Sequence, residues 1–154
     1  MRRDFRGDFR GNGKRFAVVV SRFNEFITEH LLEGCLDTLR RHGVADRAVQ
    51  IVRVPGALEI PVALKRVLQR RKPHAAICLG CVIRGETPHF DHVAAETSRG
   101  IAEVSREAGI PVAHGVIAAD TLEQAIERAG AKMGNKGREA ALAALEMANL
   151  LDTL

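Results

Sequence analysis

Short apolar runs alternate along the chain with segments whose apolar residues recur every third or fourth position. Phe16-Ala17-Val18-Val19-Val20 is the first continuous run, the pattern of a strand buried on both faces. After a short turn, Ile27, Leu31, Leu32, Cys35, Leu36 and Leu39 repeat at helical spacing, and Gly43 suits the stop. Val49 to Val54 predicts a second strand, closed by Pro55-Gly56. Ile60, Leu64, Val67 and Leu68 predict a second helix, in which Pro61 is tolerable only in the first turn. Ala75 to Leu79 is the third predicted strand, and a long turn leads from it into a helix from about Pro88 to Ala108. Pro111 to Ile117 predicts the fourth strand. Asp120, followed three residues later by Glu123, has the spacing of a capping box for the next helix. Gly130, Gly134 and Gly137 are expected to break that helix, and Ala140 to Leu151 forms the last one.

Such β-α alternation implies a parallel sheet with helices on both faces and right-handed crossovers. The expected fold is α/β: a single-domain, three-layer α/β/α, flavodoxin-like arrangement of four parallel strands in the order 2-1-3-4. Ligands of such sheets sit beyond the carboxyl ends of the strands, where the order reverses. Here that point lies between strands one and three. The loops at Ser21–Asn24, Pro55–Glu59 and Cys81–His89 are therefore the ones expected to carry chemistry.

Length and composition bound the picture. At 154 residues the chain is one domain, and 46% apolar with 27% charged residues argues against disorder. The longest apolar stretch, Ala75 to Ile83, is far too short to span a bilayer. Charged residues and glycines follow Arg2 and Arg3 where a signal peptide needs an apolar stretch, so a cytoplasmic protein is expected. The net charge of +4 is local: Arg2, Arg3, Arg6, Arg10, Lys14 and Arg15 face only Asp4 and Asp8, leaving the rest of the chain neutral. Residues 1–13 thus form a basic arm ahead of a domain at 14–154. Too few aromatic residues interleave the arm for base stacking, so a solvated or docked extension is favoured over a nucleic-acid contact.

Cys78 and Cys81 have C-x-x-C spacing, with Cys35 the third cysteine. A redox dithiol needs its first thiol at a helix N-terminus, whereas Cys78 lies in a strand-like run. Zinc would need further ligands, and no second C-x-x-C exists. The odd count also speaks against a secreted disulfide framework.

The three loops carry more. Phe23 can stack on a flat heterocycle or simply cap the core. Residues 54–59 open a helix whose free N–H groups can bind carbonyl oxygens or anions. Glu59 there can accept hydrogen bonds from a ligand or serve the helix dipole. The loop after strand three ends at another helix N-terminus, where phosphate is favoured. His89 stands at that terminus, and imidazole is the side chain most often used to move protons. His89 and His92, with Asp91 or Glu96, form a weaker metal-binding alternative. Arg128 and Lys132, four residues apart on the helix after strand four, are expected to share a face, and Arg128 is a permanent cation suited to phosphate.

Five segments then carry a resemblance: Ser21-Arg22-Phe23-Asn24, residues 54–61, residues 83–91, residues 122–130, and Gly134-Asn135-Lys136-Gly137. In order and in register, they resemble the 6,7-dimethyl-8-ribityllumazine synthase family of riboflavin biosynthesis, from about residue 14 to the C-terminus. The resemblance implies condensation of 5-amino-6-(D-ribitylamino)uracil with 3,4-dihydroxy-2-butanone 4-phosphate, with loss of phosphate and two waters, and with no metal or organic cofactor. By position, Phe23 would stack on the pyrimidine, Ala57, Leu58 and Glu59 would hold the ribityl chain and ring edge, and Cys81, Val82 and Ile83 would contact the pyrimidine. Glu86 and Thr87 would hold phosphate, His89 would move protons, and Arg128 would bind phosphate in a neighbouring subunit's site. The family usually has Phe or Asn where His114 stands, so His114 would bring a titratable group against the pyrimidine. The resemblance further implies a homo-oligomer, a pentamer or an icosahedral shell of twelve pentamers, with riboflavin synthase as a partner. A non-catalytic flavin-binding module or a shell-forming paralogue is the alternative, and either would tolerate loss of His89 or Arg128. Both residues are present.

Overall fold

The computed structural model describes residues 1–85, 88–131 and 134–154. Four strands, β1 (Phe16–Ser21), β2 (Val49–Val54), β3 (Ala75–Ile83) and β4 (Val112–Ala119), form one parallel sheet in the order β2-β1-β3-β4. The helices are α1 (Glu25–Arg41), α2 (Ile60–Arg71), α3 (His89–Ala108), α4 (Leu122–Arg128) and α5 (Lys136–Thr153). Fold class and strand order agree with the expectation from the hydrophobic pattern.

Strand alternation divides the core in two. Phe16, Val18 and Val20 of β1 and Ile77, Leu79 and Cys81 of β3 face α1 and α5. Ala17 and Val19 of β1 and Ala76, Cys78 and Val82 of β3 face α2 and α3. Both faces of the central strands are covered, which is why they are apolar throughout rather than alternating. No helix among the described residues is long and apolar enough to cross a membrane.

Several local expectations change. β3 continues to Ile83 because β4 pairs with it up to Ile83 opposite Ala119. The cap of α4 is Thr121, whose hydroxyl accepts from the Gln124 N–H at 3.2 Å; Asp120 is not in a capping box. The Asp120 carboxylate is instead held by Arg84. α5 begins at Lys136, with Asn135 as its cap, so only Gly130 and Gly134, both at positive φ, interrupt the chain between α4 and α5. Gly137 sits inside the first turn of α5, where a Cβ would come within 2.0 Å of the Leu31 carbonyl oxygen. It is the point at which α5 presses on α1.

The basic arm has no regular secondary structure over residues 1–10. Its end is docked on its own chain: Asn149 Nδ2 donates to the carbonyl oxygens of Asp8 and Arg10, each at 2.9 Å. Lys14 pairs with Asp152.

Gly137→Ala should be one of the most damaging single-methyl additions, because backbone rather than a flexible side chain occupies the space. A loss of about 1–3 kcal/mol is expected, as for overpacked cores, measured by urea denaturation. An unchanged midpoint would show that α1 and α5 do not meet this closely.

Candidate functional site

Three backbone loops meet where the strand order reverses, and each is fastened to the next. The Arg22 and Phe23 N–H groups donate to the carbonyls of Val54 (2.8 Å) and Pro55 (3.0 Å), tying the exit of β1 to that of β2. Asn24 Nδ2 donates to the Cys81 carbonyl at 3.2 Å, tying the same turn to β3. Asn24 adopts φ 62°, a left-handed conformation that Asn tolerates better than most residues. The sequence reading gave Asn24 no role. Its place after a strand and before a helix was the available signal.

These ties frame a cavity of about 370 Å³ lined by Phe23, Gly56, Ala57, Leu58, Glu59, Cys81, Val82, Ile83, Gly85, His89, Phe90 and Val93. The size suits a small heterocyclic ligand. Phe23 is 71% exposed, so it does not cap the core; its ring stands at the cavity edge, free to stack. The Glu59 carboxylate accepts from the Gly56 N–H at 3.1 Å, which holds the turn before α2 in shape. His89, exposed in the first turn of α3, lines the cavity. Phe90 and Val93, buried below it, belong to the same wall and were not singled out from sequence.

The cavity gathers Phe23, Ala57, Leu58, Glu59, Cys81, Val82, Ile83 and His89, but not Arg128 or His114. Arg128, the last residue of α4, donates through Nη1 to the Ala118 carbonyl at 3.0 Å. Because α4 ends there, the helical spacing expected to pair Arg128 with Lys132 does not continue. His114, on the edge strand β4, has Nε2 3.0 Å from the Ser98 hydroxyl of α3. Glu86 and Thr87, expected to hold phosphate, lie outside the described residues, as does Lys132.

The cysteines are inert by geometry. Cys78 points into the α2–α3 half of the core and Cys81 into the α1–α5 half, as residues three apart on a strand must. Burial pushes the Cys81 thiol up to about 11 and the Cys78 thiol up as well, away from the thiolate a redox pair requires. Among the described residues no three His, Cys, Asp or Glu side chains gather as a metal site. Asp91, considered beside His89 and His92, is paired with Arg84 instead.

Residues 13–152 match the family model described as 6,7-dimethyl-8-ribityllumazine synthase. The chain is also 55% identical to a 6,7-dimethyl-8-ribityllumazine synthase of Desulfotalea psychrophila (strain LSv54 / DSM 12343) over 148 residues, 96% of each chain. The chain therefore belongs to this family of transferases of riboflavin biosynthesis.

His114 gives the stability of the fold a pH dependence. Desolvation against α3 lowers its pKa from the ordinary 6.5, and the positive charge of Lys136 adds to the effect. Protons then bind the unfolded chain more readily than the folded one, so stability falls as pH drops through 6.5. His74, also lowered by burial and by Lys14 and Arg15, acts in the same direction. His114→Phe should remove the His114 part of the loss seen in urea midpoints between about pH 7.5 and 5.5, the span around an ordinary His. Superimposable profiles for the two proteins would exclude His114 as a contributor.

Proposed function

We propose that the protein condenses 5-amino-6-(D-ribitylamino)uracil with 3,4-dihydroxy-2-butanone 4-phosphate to 6,7-dimethyl-8-ribityllumazine. The carrying observation is the cavity at the strand-order reversal, where Phe23, Ala57–Glu59, Cys81–Ile83 and His89 converge inside a chain of this family. The amine adds to the ketone and expels water as an imine forms. Phosphate then leaves, and ring closure expels the second water. Every step needs two substrates held in reacting geometry and protons moved between nitrogen, carbon and oxygen.

In this reading Phe23 stacks on the pyrimidine, and the apolar walls formed by Ala57, Leu58, Val82 and Ile83 exclude water around it. The N–H groups at the start of the helix after β2, with Glu59, meet the polar ring edge and the ribityl hydroxyls, and Cys81 contacts the pyrimidine. His89 lies at the end of the cavity nearest the α3 N-terminus, a place that favours phosphate and suits a proton carrier. Glu86 and Thr87 lie in the same loop and hold the phosphate. The chain retains both His89 and Arg128, which favours a catalyst over a flavin-binding or shell-forming paralogue.

The cavity of one chain lacks the phosphate cation and the His114 contact. Both groups sit at the β4–α4 side of the molecule. A neighbouring copy that presents this side supplies Arg128 to the phosphate and His114 to the pyrimidine. A cyclic head-to-tail ring is the closed way to repeat such an interface. We infer a pentamer, with twelve pentamers forming a hollow shell, in the cytoplasm, and riboflavin synthase as the enzyme that takes the product.

Incubation with both substrates should produce the lumazine chromophore; its absence would refute the assignment. His89→Ala should slow turnover by roughly 10²–10⁴-fold, the usual share of general acid–base catalysis, with substrate KM values little changed. Arg128→Ala should instead raise KM for the butanone phosphate much more than KM for the pyrimidine, since it removes a charge-assisted phosphate donor. An unaffected rate, or equal weakening of both substrates, would remove the respective residue from its role.

Light scattering at neutral pH tests the shared site separately. A shell-sized particle is expected. A pentamer or decamer would overturn only the shell, whereas a monomer would overturn the shared site.

A further inference from the structure

Arg84 is the residue at which the wall of the cavity joins the end of the sheet. Its backbone N–H donates to the Ala119 carbonyl at 2.9 Å, extending the β3–β4 pairing by one rung. Its side chain then reaches three further groups. Nε donates to Asp120 Oδ1 at 2.8 Å, and Nη2 donates to Asp91 Oδ1 at 3.3 Å. The guanidinium carbon stands 4.4 Å from the centre of the Phe90 ring, a cation–π contact.

The partners belong to two elements, the first turn of α3 and the approach to α4. Phe90 lines the cavity beside His89, and Asp91 follows in the same first turn of α3. Asp120 precedes Thr121, the cap of α4, and its own N–H donates to the Gln124 side chain at 2.9 Å. α4 ends at Arg128. One planar, forked cation therefore fixes the start of the His89 helix against the start of the Arg128 helix. A lysine offers a point charge and no fork, so it reproduces only part of this.

The side chains involved are 45% (Arg84), 69% (Asp91) and 64% (Asp120) exposed. Ion pairs of that exposure contribute little to stability. What the arrangement determines is where two helix ends lie. Two of its guanidinium nitrogens face carboxylates of its own chain, and its plane faces Phe90.

We propose that Arg84 is a positioning residue of this site, holding the His89 turn and the α4 start in the relation that turnover requires. The proposal rests on the condensation reading above. It acts on placement, so the reacting geometry suffers while the pyrimidine contacts on Phe23, Ala57–Glu59 and Cys81–Ile83 stay in place.

The test is steady-state kinetics on the assembled protein with Arg84→Met, Arg84→Lys and Asp120→Asn. Arg84→Met should lower kcat by roughly 10- to 100-fold, the scale of a small misplacement of catalytic groups. KM for the aminouracil should stay within about twofold, and particle size and melting temperature should be unchanged. Arg84→Lys should recover part of the rate. Asp120→Asn, which keeps the arginine and its Asp91 pair, should fall between, and it stands in for Arg84→Met if that variant fails to assemble. A kcat within about twofold of the unsubstituted protein in Arg84→Met and Asp120→Asn would overturn the proposal. So would a matching loss of aminouracil affinity. If the unsubstituted protein forms no lumazine, the condensation reading and the role of Arg84 fall together. If it does and Arg84→Met is unaffected, only Arg84 is removed.

Discussion

The site depends on one constraint: where β1 and β3 lie side by side, the chain leaves them toward opposite faces of the sheet. α1 follows β1 on the side it shares with α5, while α3 follows β3 on the side it shares with α2. Right-handed crossovers between parallel strands require this divergence once the order is 2-1-3-4. No helix can cover the seam between the two exits, so a cavity opens there. The cavity therefore follows from the strand order, and the loops only decide what fills it.

Those loops are shaped by the backbone before any ligand contact. Phe23 stands at the cavity edge because its own N–H and that of Arg22 are bonded to the exit of β2. Asn24 holds the same turn to β3 with its side chain. Glu59 uses a carboxylate oxygen on Gly56, which keeps the start of α2 in shape. The exposed aromatic ring thus rests on a rigid frame, and a stacking surface loses little freedom when a ligand arrives.

Strands and the main helices were legible in the sequence because burial on two faces leaves a direct trace in composition. Phe16–Val20 has no polar residue to place, and Ile27 through Leu39 keeps one helical stripe. Local motifs misled where a distant partner competed for the same group. Asp120 has the spacing of a cap, yet Arg84, thirty-six residues away, holds its carboxylate while Thr121 caps the helix. Gly137 looked like a helix breaker, but a close approach to Leu31 requires it inside α5. The loops of the site were found from topology alone, whereas His89 and Arg128 gained their meaning from matching motifs. Gly130 signals the end of that helix, but nothing local in the sequence shows that Arg128 turns to Ala118.

The exposed apolar residues complete the physical picture. Phe23 (71%), Phe26 (66%) and Val62 (69%) are large side chains left open to water on a single chain. Phe26 packs its ring on His30, 4.8 Å between centroids, so it has a fixed orientation without a protein cover. Edge strand β2 is likewise only half buried, with Ile51 exposed, although strands of this fold are normally covered on both faces. One chain thus solves its own core but leaves large apolar side chains open, Phe23 at the cavity edge among them, and one sheet edge half covered. Arg128 and His114, meanwhile, bond to groups on their own chain and do not line the cavity. The assembly proposed above would have to meet two conditions at once: cover such apolar residues and bring Arg128 to the cavity of a neighbour. On that proposal, an assembly that buried Phe23 without delivering Arg128 would leave the cavity without the permanent cation assigned to the phosphate.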